Sequence, residues 1–275
     1  MDVNLRAIQE TDLPGSQRAI FDIIRLPLQS NLAQPAKAAE VASRLHLRFA
    51  ASDSPSRLAD DLWDTWVVLV EVVSLIPPDH QWHSILVDAL HLLRDKELVG
   101  SGHIEHPLRD LPGLPAYVRD VWIDPTEFEE NSSQEDFKWR NLNSFIARLT
   151  AATFSPWLNL PIWQLRSALE EEPKKGTAMD CRLWVASEWI LQCGELVYDE
   201  ITSNRELDEW SARALGGGPL YESQVPLSLA RWQFWMARFQ NLSENAVGLE
   251  LDASVIARIT LTVQRMGAIR DKHGE

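Results

Sequence analysis

The chain has 275 residues and a mass of 31.3 kDa, and with 45% apolar residues it can bury a sizeable core, which excludes disorder for its bulk. Its 26 basic and 40 acidic residues give a formal charge of -14, and the longest basic run is Lys174-Lys175, so neither a nucleic acid nor an anionic membrane leaflet is an expected partner. Twelve tryptophans, against eight phenylalanines and three tyrosines, are the marked compositional bias.

The start, Met1-Asp2-Val3-Asn4-Leu5-Arg6, has neither a basic segment followed by an apolar one nor a glycine at position 2, so no signal peptide or myristoyl site is expected. Helical periodicity recurs along the chain and no convincing hairpin pattern interrupts it, which predicts an all-α fold: a single irregular bundle of about ten helices over 1–275. Ser16 is placed to cap a helix reaching about Leu26, and Pro35 sits in the first turn of another ending near Phe49. Residues 1–51 carry 6 basic and 5 acidic groups, a near balance that marks them as a candidate docking arm. Ser54-Pro55 opens a third helix in which Leu58, Leu62, Trp66, Leu69, Val73 and Ile76 share a face, and Pro77-Pro78 ends it. That apolar stretch carries Glu71 and Ser74 and is too short for a membrane span. Asp79 is placed to cap a fourth helix, Gln81 to about Leu98.

Residues 99–136 break the pattern with three glycines and four prolines, predicting a long loop or lid with a short helix near Ala116 to Trp122. Further helices are expected at 136–153, 161–172, 177–203, 206–215, 226–242 and 250–270. Cys181 and Cys193 lie in one helix, about 18 Å apart at 1.5 Å per residue, too far to pair with each other. Unpaired thiols suit a reducing, cytoplasmic interior. An apolar face of helix 250–270, with Leu251, Val255, Ile259 and Val263, is compatible with a homodimer.

Glu188, Gln192, Glu195 and Asp199 form one stripe on the helix through 183–201. If the stripe met a cavity, desolvation would raise the pKa of Glu188 or Glu195 and make it a proton donor; the plainer reading is a strip facing water. Asp60, Asp64 and Glu71 form a similar stripe near a helix start. Two His-x-x-His pairs, His80/His83 and His103/His106, lack the further ligands that a zinc site needs, so no metal is expected. Gly216-Gly217-Gly218-Pro219 lacks the Lys-Ser/Thr of a phosphate loop and reads as a turn between helices. No Gly-x-Ser-x-Gly occurs.

The tryptophans are first of all core residues, yet so many planar rings tend to leave an irregular cavity able to hold an apolar ligand. Arg231 and Arg238 flank Trp235 at four and three residues, placed to stack on rings, to anchor a ligand carboxylate, or to offset the acidic surplus. The segments Leu62-Trp63-Asp64-Thr65-Trp66, Ile76-Pro77-Pro78-Asp79-His80-Gln81-Trp82, Leu108-Arg109-Asp110-Leu111-Pro112, Asn141 to Leu149 and Arg231-Trp232-Gln233-Phe234-Trp235, in this order, resemble an uncharacterised Trp-rich fungal family known as a domain of unknown function. The resemblance spans about 60 to 240. It implies a soluble helical protein and assigns no catalytic residue.

The function expected from these features is binding of a small apolar organic molecule in a Trp-lined pocket of a few hundred Å³. Its catalytic form would be a cofactor-independent cyclase or isomerase of fungal secondary metabolism, working by folding a substrate into one reactive conformer. Trp66, Trp163 and Trp235 would be walls, Asn143, Arg148 and Arg231 polar anchors, with Arg231 polarising the substrate, and Glu188 or Glu195 the acid; no cofactor is implied. The competing expectation is a non-catalytic helical scaffold whose acidic faces meet a basic partner.

Overall fold

In the computed structural model, the structure describes residues 3–96, 108–128, 132–154, 157–203, 205–223 and 225–274. Among them are twelve α-helices, ten of seven or more residues, and no strand. The described residues are all-α, and the backbone forms two compact units, Met1–Asp124 and Pro125–Glu275.

The first unit contains α1 (Arg6–Glu10), α2 (Gly15–Gln29), α3 (Gln34–Ala50), α4 (Pro55–Ser74), α5 (Trp82–Arg94) and α6 (Leu114–Asp120). Ser54 starts α4 by accepting a hydrogen bond from the Arg57 amide, with Pro55 in the first turn where its missing N–H costs nothing. Helix α3 packs on α5 and on α2, and α2 packs on α4. Ile20, Phe21 and Ile24 of α2 and Val41, Leu45 and Phe49 of α3 are buried, so the apolar faces of these two helices are part of this unit's core. Asp61, missed in the sequence, is buried between Arg48 (2.5 Å) and the Ser52 hydroxyl (2.8 Å), tying α3 to α4.

The second unit contains a 3₁₀ turn, Pro125–Glu127, then α7 (Ser133–Ala151), α8 (Asn159–Leu169), α9 (Gly176–Thr202), α10 (Glu209–Ala214), α11 (Leu229–Glu244) and α12 (Ala253–Lys272). Helix α9 is central and packs against α7, α8, α11 and α12. Its apolar circumference, legible in the sequence, is the consequence of having neighbours on most sides. Ser132 and Glu135 form a reciprocal capping box at the start of α7, and Asp208, Ser228 and Asp252 cap α10, α11 and α12. Val255 and Ile259, expected on a dimer face, are buried inside this unit, where α12 covers α9 and α11. Of the expected loop 99–136, residues 99–107 and 129–131 lie outside the described residues, and the rest includes α6 and the 3₁₀ turn. No helix among the described residues is long and apolar enough to cross a membrane.

Candidate functional site

The densest polar cluster lies in the second unit around Glu170, a residue that no motif singles out. Glu170 follows α8 directly, and its side chain and that of Arg231 on α11 are both fully buried (0% exposed). Arg231 meets it through two nitrogens, Nε to Oε1 at 2.6 Å and Nη2 to Oε2 at 3.0 Å. The indole Nε1 of Trp235 donates to the same Oε1 at 2.6 Å, and the Gly218 amide donates to Oε2 at 2.6 Å. The remaining guanidinium protons go to the carbonyls of Leu215 (2.6 Å), Pro226 (2.5 Å) and Gly216 (3.2 Å). The guanidinium also lies 5.2 Å from the Trp235 ring centroid and 5.6 Å from that of Tyr221.

This arrangement accounts for two of the three glycines. A Cβ on Gly218 would come within 2.7 Å of the Glu170 carbonyl oxygen, and one on Gly217 within 2.8 Å of the Tyr221 ring. Residues 215–223 therefore lie directly on Glu170 and Arg231, as a strap between helices. Trp163, half-buried on α8, donates its indole N–H to the Ala214 carbonyl at 2.9 Å and fastens the near end of the strap.

A second cluster joins α7, α9 and α12. Glu188 is buried (3% exposed) and its two oxygens receive the Ser144 hydroxyl (2.6 Å), the Gln192 amide (3.0 Å) and the guanidinium of Arg258. Three donors converging on two oxygens is the arrangement of an acceptor, not of an acid aimed into a cavity. Arg258 stacks over Trp184 at 4.3 Å. Asn143, beside this cluster on α7, accepts from the Trp189 indole at 2.8 Å and donates to the Trp139 carbonyl at 2.9 Å, so both ends of its amide are engaged. Arg148 is half-buried on the same helix.

The acidic stripe on α9 faces neither a cavity nor bare water but a basic stripe on α12. Glu188 pairs with Arg258, Glu195 with Arg265 (3.2 Å) and Lys272 (2.5 Å), and Asp199 with His273 (3.2 Å). Residue numbers rise together along the ladder, so the two helices run parallel. The hydrogen bond from Lys272, with the charges of Lys272, Arg265 and His273, holds the Glu195 carboxyl below the usual range. Glu195 is thus ionised near neutral pH and does not fit the proton donor expected of it. Beneath the ladder, burial, reinforced by the charge of Glu188, pushes the Cys193 thiol up, and both cysteines are buried thiols that form no disulfide.

In the first unit Trp66 is fully buried, and its indole N–H donates to the Pro112 carbonyl at 2.8 Å. Gly113, at φ +86°, lets the chain pass over that ring, because a Cβ there would touch it at 3.4 Å. Asp64 receives Ser16 and Gln17 and so anchors the start of α2. His80 accepts from the Trp82 amide through Nδ1, whereas the buried His83 bonds the Ile76 carbonyl through Nε2, so the first His-x-x-His pair is occupied locally. His103 and His106 lie outside the described residues.

Cavities lined by described residues include four of note. One, of about 10 Å³ among Ile24, Val41, Leu69 and Leu86, is at most water-sized. Open clefts of about 480, 340 and 420 Å³ lie beside Asp61, between α11 and α12, and beside Arg238. None of the four has a tryptophan on its wall, and Trp66, Trp189, Trp232 and Trp235 are all fully buried. None of these cavities is the expected Trp-lined pocket: the indoles of Trp66 and Trp235 donate to the Pro112 carbonyl and the Glu170 carboxylate and that of Trp189 to the Asn143 side chain, whereas the buried Trp232 Nε1 meets no acceptor among the described residues.

Comparison with known families gives a match to "Protein of unknown function (DUF3632)" over residues 66–239, more than half of the chain. The chain belongs to the DUF3632 family. No curated protein and no solved structure matches it. The DUF3632 match takes in Trp66, Glu170, Glu188, Arg231 and Trp235, and stops short of α12 with its basic ladder.

Proposed function

We propose that this DUF3632 protein is a non-catalytic helical scaffold that acts by binding a partner. The observation that carries the reading is that Glu188 and Arg231, two buried groups expected to act on a substrate, are each held in an ion pair inside the second unit. The catalytic reading, a cofactor-independent cyclase or isomerase, asks for a neutral acid beside an open, indole-walled space. Glu188 is surrounded by donors, and the charges around Glu195 favour its ionised form.

The surface suits a basic partner. Trp210 on α10 is 81% exposed, and Glu206, Asp208 and Glu209 around it are exposed as well. An exposed indole among carboxylates offers a flat apolar contact with an electrostatic guide for positive charge.

The test is to incubate the protein and its Glu188→Gln variant with a small-molecule extract and follow products by mass spectrometry. The scaffold reading predicts no protein-dependent product, and an unfolding midpoint lowered by the substitution. A product made by the native protein and lost in a variant of unchanged midpoint would overturn it.

A further inference from the structure

The cleft of about 420 Å³ in the second unit holds a cation that the rest of the structure leaves uncommitted. Arg48, Arg182, Arg231 and Arg258 are each met by a carboxylate, whereas among the described residues none pairs with Arg238. Arg166 is likewise bonded, among the described residues, only to carbonyls, but of the two it is Arg238 that lines this cleft. Arg238 is half-buried on α11 and is held in place by neutral acceptors: Nε donates to the Leu169 carbonyl at 3.0 Å and Nη1 to the Asn241 side chain at 3.2 Å. A guanidinium fixed in this way presents its fork to a planar acceptor without the entropy cost of ordering a long side chain.

The other groups of the cleft narrow the ligand. The segment linking α8 and α9 contributes Glu172, an exposed carboxylate; α11 contributes the carboxamide of Asn241, and Asn245 just past its end a second; the half-buried Leu249, with the edge of the buried Leu242, supplies apolar surface. One cation, one anion, two amides and aliphatic surface match a small zwitterion with an aliphatic side chain, and the volume accommodates one. We propose that this cleft binds a free α-amino acid of the leucine class, its carboxylate on Arg238, its ammonium on Glu172 and its side chain against Leu242 and Leu249. None of these residues belongs to the Glu170 or Glu188 clusters, so the proposal stands independently of the scaffold reading.

The experiment is titration of the full chain with L-leucine, read by calorimetry and by saturation-transfer NMR. Binding in the micromolar to low millimolar range is expected, and 4-methylpentanoate, leucinamide and glycine, which lack the ammonium, the carboxylate and the side chain respectively, should each bind about tenfold or more weakly. Glu172→Gln, at an exposed position, should weaken leucine binding about tenfold with an unchanged unfolding midpoint; Arg238→Gln should do the same, and Glu172→Gln decides the matter if that second variant folds poorly. No leucine binding up to about 10 mM would overturn the proposal, as would 4-methylpentanoate binding as tightly as leucine. Binding of a Leu-Leu dipeptide with leucine itself silent would overturn it in favour of a peptide terminus.

Discussion

A carboxylate just past the C-terminal end of a helix faces the negative end of the helix dipole, and Glu170 occupies that position on α8. Buried there, it needs the guanidinium of Arg231, the Trp235 indole and the Gly218 amide to offset both its own charge and the dipole. Gly218→Ala would put a methyl 2.7 Å from the Glu170 carbonyl oxygen and lift the strap from Arg231. The expected loss is about 1 to 3 kcal/mol in urea denaturation, the usual cost of overpacking. Cys181 and Cys193 are buried, and the Cys193 thiol is pushed up in pKa, so a thiol reagent should label neither at neutral pH until the second unit unfolds. Part of this was legible in the sequence. Arg231 stood out through its spacing to Trp235, whereas Glu170 was hidden in Glu170-Glu171-Glu172, where composition cannot distinguish the one buried acid from its solvated neighbours. Trp163 and Asn143 are engaged as their polar atoms require, but partners 51 and 46 residues away follow only from the fold.

At the scale of elements, the parallel contact of α9 and α12 combines a charge ladder with a close apolar approach. Gly194 allows it: a Cβ there would lie 2.9 Å from Ile269. Glu195, together with the cap residues Glu135, Asp208 and Asp252, has its pKa lowered from the ordinary values, 4.5 for Glu and 3.8 for Asp. A depressed folded pKa contributes stability above the unfolded value, and that contribution is lost as pH falls through the folded one. Circular dichroism in acid should therefore show loss of helix setting in below about pH 4.5. Asp180 has the opposite sign. Burial, aided by Asp252, raises its pKa above 3.8, so its contribution is present below 3.8 and is lost as pH rises through the folded value. Asp180→Asn keeps an acceptor for the Asp252 amide, 3.0 Å away, and removes the charge. It should raise the thermal midpoint at pH 7, by an amount that shrinks toward pH 4. The acidic half of the ladder was legible, but its meaning was not, because Arg258, Arg265 and Lys272 recur at steps of seven in another helix and only their pairing gives the stripe its role.

For the whole molecule, the all-α class followed from periodicity, and the strongest segments, α4 and α9, lie where that periodicity placed them. The division at Asp124–Pro125 was not legible, since the boundary falls within a Pro-rich stretch that also contains α6 and a 3₁₀ turn and carries no linker composition. A scaffold of charge -14 should bind a lysine-rich amphipathic peptide in a salt-dependent way, and Trp210→Ala should weaken that binding while leaving the unfolding midpoint unchanged, as fluorescence titration would show. The central claim, that the buried acids and arginines serve the fold, is tested most directly by a double-mutant cycle on Glu170 and Arg231 in chemical denaturation. Each of Glu170→Leu and Arg231→Met should cost about 3 to 5 kcal/mol, because each leaves the other charge buried alone. The double variant should lose less than the sum of the two by about 1 kcal/mol or more. Single variants as stable as the native protein, or more so, would contradict the account, since relief on removing a buried charged group is what a strained active site shows.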